Sequence, residues 1–221
     1  MLYGEPGGQR FRSGRDLCLN WLKKVAWNSG QHRFNRGFHL QPDEVVASDI
    51  HAWGISALGV ARLDTIQPGA AEYMIRFVED NCRSTVSYHS PDGRMIGVTG
   101  FDFVDHGALA RLKRPAIVSP EWSFQMANAY KRLSDDFKAQ GANEKAALYS
   151  RKQKDLITQV MAMASIRDNA AGFPYATLGN APIGHEYHTP ARGSFSMIGA
   201  GYGILALTDF DPLRSPAKLQ K

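Results

Sequence analysis

The segment from Gly172 to Gly193 contains the densest group of side chains able to do chemistry. It reads GFPYATLGNAPIGHEYHTPARG, and Glu186 stands there between two histidines. Loops of this length inside compact domains are usually functional. His185 and His188 are three residues apart, whereas the zinc-protease pattern places two histidines four apart on a helix, which the flanking prolines oppose. The spacing therefore predicts no metal site. The loop is predicted either to contact a substrate or to anchor itself to neighbouring helices.

Two further acids stand at the starts of predicted helices. Ser48 or Asp49 is a suitable N-cap, and Glu121 follows a Ser-Pro pair typical of a helix start, where the helix dipole favours an anion. Both acids therefore have a structural interpretation. Glu121 is also followed by Trp122, and a carboxylate beside an aromatic surface suits a sugar site. Structural and chemical roles stay open for both.

Other reactive motifs are missing from the sequence. The glycines of GAGYG, residues 199–203, lie in an apolar helical pattern with no strand before them, so close helix packing explains them better than a dinucleotide loop. Ser194 and Ser196 lack the strand–turn–helix context of a nucleophile elbow. We therefore predict no cofactor.

The periodicity of apolar residues predicts a mainly helical chain. The stretch from about 49 to 63 is apolar on almost every face, so we expect a helix buried all round, whereas the helix opened by Pro68-Gly69 has one apolar stripe. A Ser-Pro-Asp-Gly turn between two extended segments predicts a β-hairpin between residues 83 and 103. Further helices are predicted around Leu17 to Val25, from Ser119, over 143–166, and over 194–208, the last also apolar.

Two of the apolar helices resemble each other. Trp53-Gly54-Ile55-Ser56-Ala57-Leu58 and Tyr202-Gly203-Ile204-Leu205-Ala206-Leu207 share the pattern aromatic-Gly-Ile-x-Ala-Leu. Half-exposed helices alternate with apolar ones along the chain. A ring of helical hairpins requires this order, because its inner helices are covered on all sides while its outer helices face water.

Three segments, SDIHAWGISALG, SPEWSFQMANAY and PIGHEYHTPARGSFSMIGAGYGILALTDFDPL, resemble the (α/α) toroid proteins of the six-hairpin glycosidase-like superfamily over roughly residues 40–213. The resemblance implies a mainly α fold in a single domain over 1–221. In it, antiparallel helical hairpins form part or all of an (α/α) toroid with a small β-hairpin insertion. Such a toroid has about six hairpins and this chain offers about three. It implies either a smaller variant or a partial barrel completed by a second chain or a missing segment.

The resemblance also implies a function. In such folds the substrate cleft lies at one end of the inner helices, and glycoside hydrolysis needs two carboxylic acids across the sugar. It therefore implies a glycoside hydrolase acting on an oligo- or polysaccharide, with Glu121 and Glu186 as the acid/base pair, Asp49 as a substrate-binding or third carboxylate, and Asp102 and Asp105 in second rank. The implied substrate-binding residues are His51, Trp53, Trp122, Tyr175, Tyr187, His188 and Arg192.

Two alternatives stay open. A polysaccharide lyase on the same scaffold would use Tyr187 or His188 as base, with Arg192 and Asn180 or Asn128 neutralising a uronate. The chain would otherwise be a non-catalytic binding or interaction module. His51 has two interpretations of its own, a core histidine or a cleft residue.

Charge and composition exclude several classes. The net charge is +5, but the basic residues are scattered, so we predict no nucleic-acid partner. The uncharged, apolar stretch 193–208 is too short for a membrane span. MLYGEPGGQR has no apolar region, so no export signal is predicted and the location is cytoplasmic by default, or periplasmic or secreted if the N-terminus is truncated. Cys18 and Cys82 are expected to be free thiols.

Overall fold

The computed structural model describes residues 6–43, 45–167 and 170–213, and this part of the chain is mainly helical. A π-helical turn, Leu22–Ala26, follows the first helix, and a short 3₁₀ turn, His106–Ala108, precedes the fourth. The α-helices are α1 (Pro6–Trp21), α2 (Ser48–Ile66), α3 (Ala70–Cys82), α4 (Leu109–Leu112), α5 (Pro120–Ala139), α6 (Asn143–Met161) and α7 (Met197–Leu207).

The strands of the described residues form four antiparallel pairs. The longest pair, β5 with β6, is the predicted hairpin, in which Arg83 lies opposite Phe101 and His89 opposite Met95. The pairs are β1 (Trp27–Asn28) with β2 (Arg33–Phe34), β3 (Gly37–His39) with β4 (Gln41–Asp43), β5 (Arg83–His89) with β6 (Met95–Phe101), and β7 (Ser165–Arg167) with β8 (Ala170–Gly172).

The main helices lie in two layers. In the first layer α5 lies between α2 and α7, and in the second α3 packs on α2 while α6 packs on α5. Two ion pairs connect α3 and α6, the two helices of the second layer. Lys152 of α6 binds Glu79 of α3 at 2.7 Å, and Lys145 of α6 binds Glu72 of α3 at 2.6 Å. The main apolar core lies between the two layers. α5 therefore occupies the centre of the molecule.

Local sequence explains where two of the first-layer helices, α5 and α7, begin. Ser119 caps α5 by accepting a hydrogen bond from the Trp122 backbone N–H, and Pro120 opens the helix where no N–H partner is needed. Ser196 caps α7 in the same way, accepting from the Gly199 backbone N–H at 2.9 Å. The predicted start of α5 is therefore confirmed.

Helix α2 bends at Gly59, whose backbone is left-handed (φ 68°). The bend frees the Val60 N–H, which donates to Asp136 of α5 at 2.9 Å, and Arg132 donates to the Ser56 carbonyl oxygen at 3.1 Å. A Cβ at position 59 would lie 2.2 Å from the Arg132 guanidinium. Glycine is needed here for both its backbone conformation and its small size.

Three sequence-based expectations differ from the structure. We expected α2 to be buried on all sides, but the Trp53 side chain is 45% exposed. We also expected α7 to be a buried helix, but Met197 is 87% and Ile204 62% exposed. α6 ends at Met161, not near Ile166, which belongs to β7. No helix among the described residues is long and apolar enough to cross a membrane.

Candidate functional site

Two acids from different helices lie close together at one end of the first layer. Asp49 is the second residue of α2 and Glu121 is the second residue of α5, so the contact between these helices brings both first turns together. Both side chains are half-buried. The negative charge of Asp49 acts directly on Glu121. The structure thus brings together two of the three acids implied by the resemblance.

The surroundings of Glu121 favour its protonated form. Burial is the largest cause and the Asp49 charge is the second, and together they raise the pKa of Glu121 to about 7. A hydrogen bond from Gln125 acts in the opposite direction. Glu121 can therefore carry a proton near neutral pH.

Burial acts on Asp49 as well. It raises the pKa of Asp49 to about 6, against hydrogen bonds from the backbone N–H groups of Ile50 and Asp49 itself, which lower it. Asp49 therefore loses its proton at a lower pH than Glu121. Two interacting acids of different strength can hold one proton between them over the interval that separates their pKa values.

Gln125 lies one helical turn after Glu121 and is buried. Its side-chain Nε2 donates to Glu121 Oε1 at 3.3 Å, whereas its Oε1 has no hydrogen-bond partner in the described structure. The amide therefore donates to the ionised form of Glu121. A 180° rotation of the side-chain amide would exchange the positions of Nε2 and Oε1. Oε1 would then accept a hydrogen bond from the protonated carboxyl group of Glu121.

Four aromatic side chains lie near the two acids. Trp53, one turn after Asp49 on α2, lies close enough to Tyr202 of α7 to act against the rise in the pKa of that tyrosine. Glu121 is close enough to raise the pKa values of Tyr202 and Tyr175, in each case after the larger effect of burial. The fourth is Trp122, the neighbour of Glu121. The acids therefore have apolar ring surfaces beside them, one of which, Trp53, is well exposed.

The long loop reaches this site through His185. Its ring lies 5.7 Å from the Trp122 ring, centroid to centroid. Its Nε2–H donates to the Phe103 carbonyl oxygen at 3.2 Å, and its Nδ1 accepts from Arg36 at 2.9 Å. Burial lowers the pKa of His185, which favours the neutral ring that this arrangement requires. His185 thus holds the loop against Trp122.

A buried ion pair also fixes the loop. Both guanidinium Nη atoms of Arg114 bind the two carboxylate oxygens of Asp102, at 2.6 and 2.7 Å. Arg114 Nε donates to the Pro182 carbonyl oxygen at 2.5 Å, and Asp102 also accepts from the Ile117 N–H at 2.9 Å. Asp102, a second-rank catalytic candidate, is thus wholly buried and structural. Asp105 is half-buried before the 3₁₀ turn, and its carbonyl oxygen accepts from Ala108.

Glu186 lies at the exposed tip of a tight loop. The tip is closed by a hydrogen bond from the Ile183 N–H to the Tyr187 carbonyl oxygen at 2.9 Å, and Glu186 has a left-handed backbone (φ 68°). Tyr187 and His188 are exposed beside it. The acid whose charge acts on Glu121 is Asp49, so the predicted pairing of Glu121 with Glu186 gains no support from the geometry.

The structure places the other predicted residues apart from the acids. His51 is only 1% exposed and stacks on Phe77 of α3, so the expectation that it binds substrate is wrong for this conformation. Burial lowers its pKa to about 4, which leaves a neutral core histidine. Arg192 is exposed and donates to the His89 carbonyl oxygen at 3.0 Å. Asn128 is buried on α5, and Asn180 is exposed in the long loop.

The sequence analysis missed Gln125 and Tyr202. The signal for Gln125 was its spacing of four residues from Glu121, which places both side chains on one helix face. Tyr202 was visible as the counterpart of Trp53 in the repeated pattern, and the structure places these two side chains near each other.

No cluster of three or more His, Cys, Asp or Glu side chains that could hold a metal ion occurs among the described residues. The chain was compared with protein-family models, with curated proteins and with solved structures. None of the three comparisons gives a match, so the chemistry of this chain has to be inferred from the site itself.

Proposed function

We propose that this protein is a glycoside hydrolase in which Glu121 donates a proton and Asp49 is its partner carboxylate. The observation that carries the proposal is the meeting of two half-buried acids at the first turns of α2 and α5, with raised and unequal pKa values. Environments that push the pKa values of two neighbouring acids apart assign one as the acid and the other as the base.

The reaction follows from these protonation states. Between about pH 6 and 7 Glu121 keeps its proton and Asp49 is largely ionised. Glu121 protonates the glycosidic oxygen as the bond to the anomeric carbon breaks, and Asp49 either attacks that carbon or removes a proton from the attacking water. Water supplies the hydroxyl group of the new reducing end.

The surrounding side chains fit a sugar. Trp53 exposes a ring beside Asp49, so an apolar face of a pyranose can stack on it, and the half-buried rings of Trp122 and Tyr175 lie near Glu121. Gln125 holds Glu121 from within the helix layer.

The charges near the acids favour hydrolysis over the lyase alternative. A lyase must neutralise a uronate carboxylate, usually with a cation or amide beside the base. The charged group that acts on Glu121 is another carboxylate, and burial dominates at Asp49. Tyr187 and His188, the predicted lyase bases, are exposed on the loop tip. We therefore place an uncharged sugar unit between the two acids.

The arrangement of helices supports the same proposal. α2, α5 and α7 form one layer and α3 and α6 a second, as inner and outer helices of an (α/α) toroid would. In such toroids the cleft lies at the ends of the inner helices. Asp49 and Glu121 occupy the corresponding ends of α2 and α5.

The test is release of reducing ends from a panel of neutral and acidic polysaccharides, with absorbance of unsaturated uronates recorded in parallel. We expect reducing ends without absorbance, and a loss of at least about 10³-fold in kcat for Glu121→Gln and Asp49→Asn. Glu144→Gln is the matched control, because Glu144 is also the second residue of a helix, α6, but is exposed. It should retain full activity.

Other outcomes decide against the proposal. Unsaturated products would identify a lyase. Full activity of Glu121→Gln on the substrate found would remove the acid pair from the mechanism. Saturable binding of a polysaccharide without turnover, equal in wild type and Glu121→Gln, would identify a binding module.

A further inference from the structure

Two helices of the described structure have apolar faces with no partner in the same chain. α7 presents Met197, Ile204 and Gly201 on one face, with Ile198 and Leu207 at its borders. α1 presents Phe11, Cys18 and Trp21 on one face, and Leu17, which borders it, is 70% exposed. The main contact of α1 is with the π-helical turn that follows it.

We propose that these two faces bind each other between two copies of the chain, with α1 of one copy lying antiparallel along α7 of the other. A twofold axis makes the arrangement reciprocal, so each copy contributes both helices. The apolar face of α7 and the helix that covers it, α1 of the other copy, thus come from the same sequence. This inference does not depend on the proposed chemistry.

The shapes of the two faces match in the antiparallel orientation. When Cys18 lies opposite Ile204, the spacing of three residues places Trp21 opposite Gly201. A Cβ at Gly201 would have no atom of its own chain within 4 Å, so the chain itself does not require glycine there. A large indole ring against a glycine lets two helices approach closely. An exposed glycine inside a helix otherwise costs about 1 kcal/mol.

The charges also match. The antiparallel orientation brings Arg12 and Arg15 of α1 near the end of α7, where Asp209 and Asp211 follow. No basic residue lies between Met197 and Leu213, although Lys131 and Arg132 of α5 line the same surface pocket as Asp209 and Asp211. A basic segment therefore lies beside an acidic one, at the end of α7 where the helix dipole also favours positive charge.

The available area is close to that of a stable dimer. Seven large apolar side chains of α1 and α7 are exposed, namely Phe11, Leu17, Trp21, Met197, Ile198, Ile204 and Leu207. At roughly 100 Å² each they offer roughly 700 Å² per copy, against about 800 Å² per partner in a standard interface.

The first test is sedimentation velocity of the full chain over a range of concentrations. We expect a species of twice 24.4 kDa. Leu17→Glu and Ile204→Glu should each weaken association at least about 100-fold, because each places a charge in the apolar contact. Ile166→Glu is the control, since Ile166 is exposed but lies on β7, and it should not change the dimer. A monomeric wild type, or dimers unaffected by both α1 and α7 variants, would overturn the proposal.

The second test identifies the helices in contact. Cys18 is exposed and Cys82 is buried, so an Ile204→Cys variant should oxidise to a disulfide-linked dimer through Cys18 of the other copy. Adding Cys18→Ser should abolish that product. A linked dimer that survives Cys18→Ser would mean that α7 binds α7, and a disulfide within one chain would mean that α1 folds back on its own α7. Either result contradicts the proposed pairing.

Discussion

Two buried acidic groups in this molecule have opposite surroundings. Asp102 lies in the core with both carboxylate oxygens bound by Arg114 and a backbone N–H bound as well, so its charge is fully compensated. Glu121 lies half-buried beside a second carboxylate and has one long hydrogen bond, from Gln125. The first acid pairs with Arg114, which holds the loop. The second keeps a proton that it can give away.

This difference separates a structural acid from a reactive one. Burying a carboxylate costs free energy, and a cation with matched hydrogen bonds offsets that cost. Where the compensation is missing, the carboxylate keeps its proton to higher pH. Perturbed acids in a cleft are therefore candidates for chemistry, whereas equally buried but paired acids are candidates for stability.

The largest effect is expected at Asp102. Asp102→Asn leaves the buried Arg114 guanidinium without its negative partner, so we expect a loss of about 3–5 kcal/mol of unfolding free energy, or roughly 10 °C in Tm. Asp92→Asn is the control, since Asp92 pairs with Arg94 at the surface, where solvent screens the pair, and it should shift the unfolding free energy far less. Thermal unfolding measures both. Equal shifts for the two variants would contradict the structural role of Asp102.

The next effect is the pH dependence of stability. The folded-state pKa values of Asp49 and Glu121 are raised, so the native protein binds more protons than the unfolded chain between about pH 4 and 7. Their contribution is present at low pH and is lost as pH rises through 6 and 7. Glu121→Gln should thus match wild type at pH 4 and melt roughly 3 °C higher at pH 8.

Glu144→Gln serves as the control for that measurement, because it removes an exposed carboxylate from the same helical position. It should track wild type at every pH. A constant difference between Glu121→Gln and wild type across the range would mean that Glu121 does not titrate within it.

A smaller effect tests Gln125. Its side chain stabilises the ionised form of Glu121, so Gln125→Leu should raise the pKa of Glu121 further. Carboxyl-carbon NMR titration measures this without a substrate. Gln153→Leu is the matched control, because Gln153 is also buried and donates to a carboxylate, Asp209, at 3.0 Å. An unchanged Glu121 titration in Gln125→Leu would show that the amide only fills space.

The smallest effect is expected at Glu186. If Asp49 is the partner of Glu121, Glu186→Gln should keep kcat within about threefold of wild type, because the loop tip lies in water. A loss comparable with that of Asp49→Asn would restore Glu186 to the acid/base pair and would show that the loop closes over the substrate.

Local features of the fold could be predicted from the sequence, and the surroundings of each residue could not. The cap at Ser119 and the β5–β6 hairpin depend on neighbours in sequence and were predicted. The exposed faces of α2 and α7 were not, because an apolar helix has the same pattern whether its partner lies in the same chain or not. His51 shows the same limit, since its burial depends on the packing of α3.

The site was predictable to a similar extent. Asp49 and Glu121 were found as acids at helix starts, which is a local property. That the charge of Asp49 acts on Glu121 follows only from how α2 packs on α5. Asp102 was ranked below them, but its structural role was not visible in the sequence, because its partner Arg114 lies 12 residues further along the chain.

The break at Gly59 divides α2 into two segments whose relative angle can be changed by substitution. Asp49 and Trp53 belong to the segment of α2 before the break. Arg132 and Asp136, about three turns after Glu121 on α5, hydrogen-bond to α2 on either side of the break and fix the angle of that segment. In the proposed hydrolase, substitutions at Gly59, Arg132 or Asp136 would therefore change the separation of Asp49 and Glu121, and with it the stereochemical course of the reaction, without contacting the sugar.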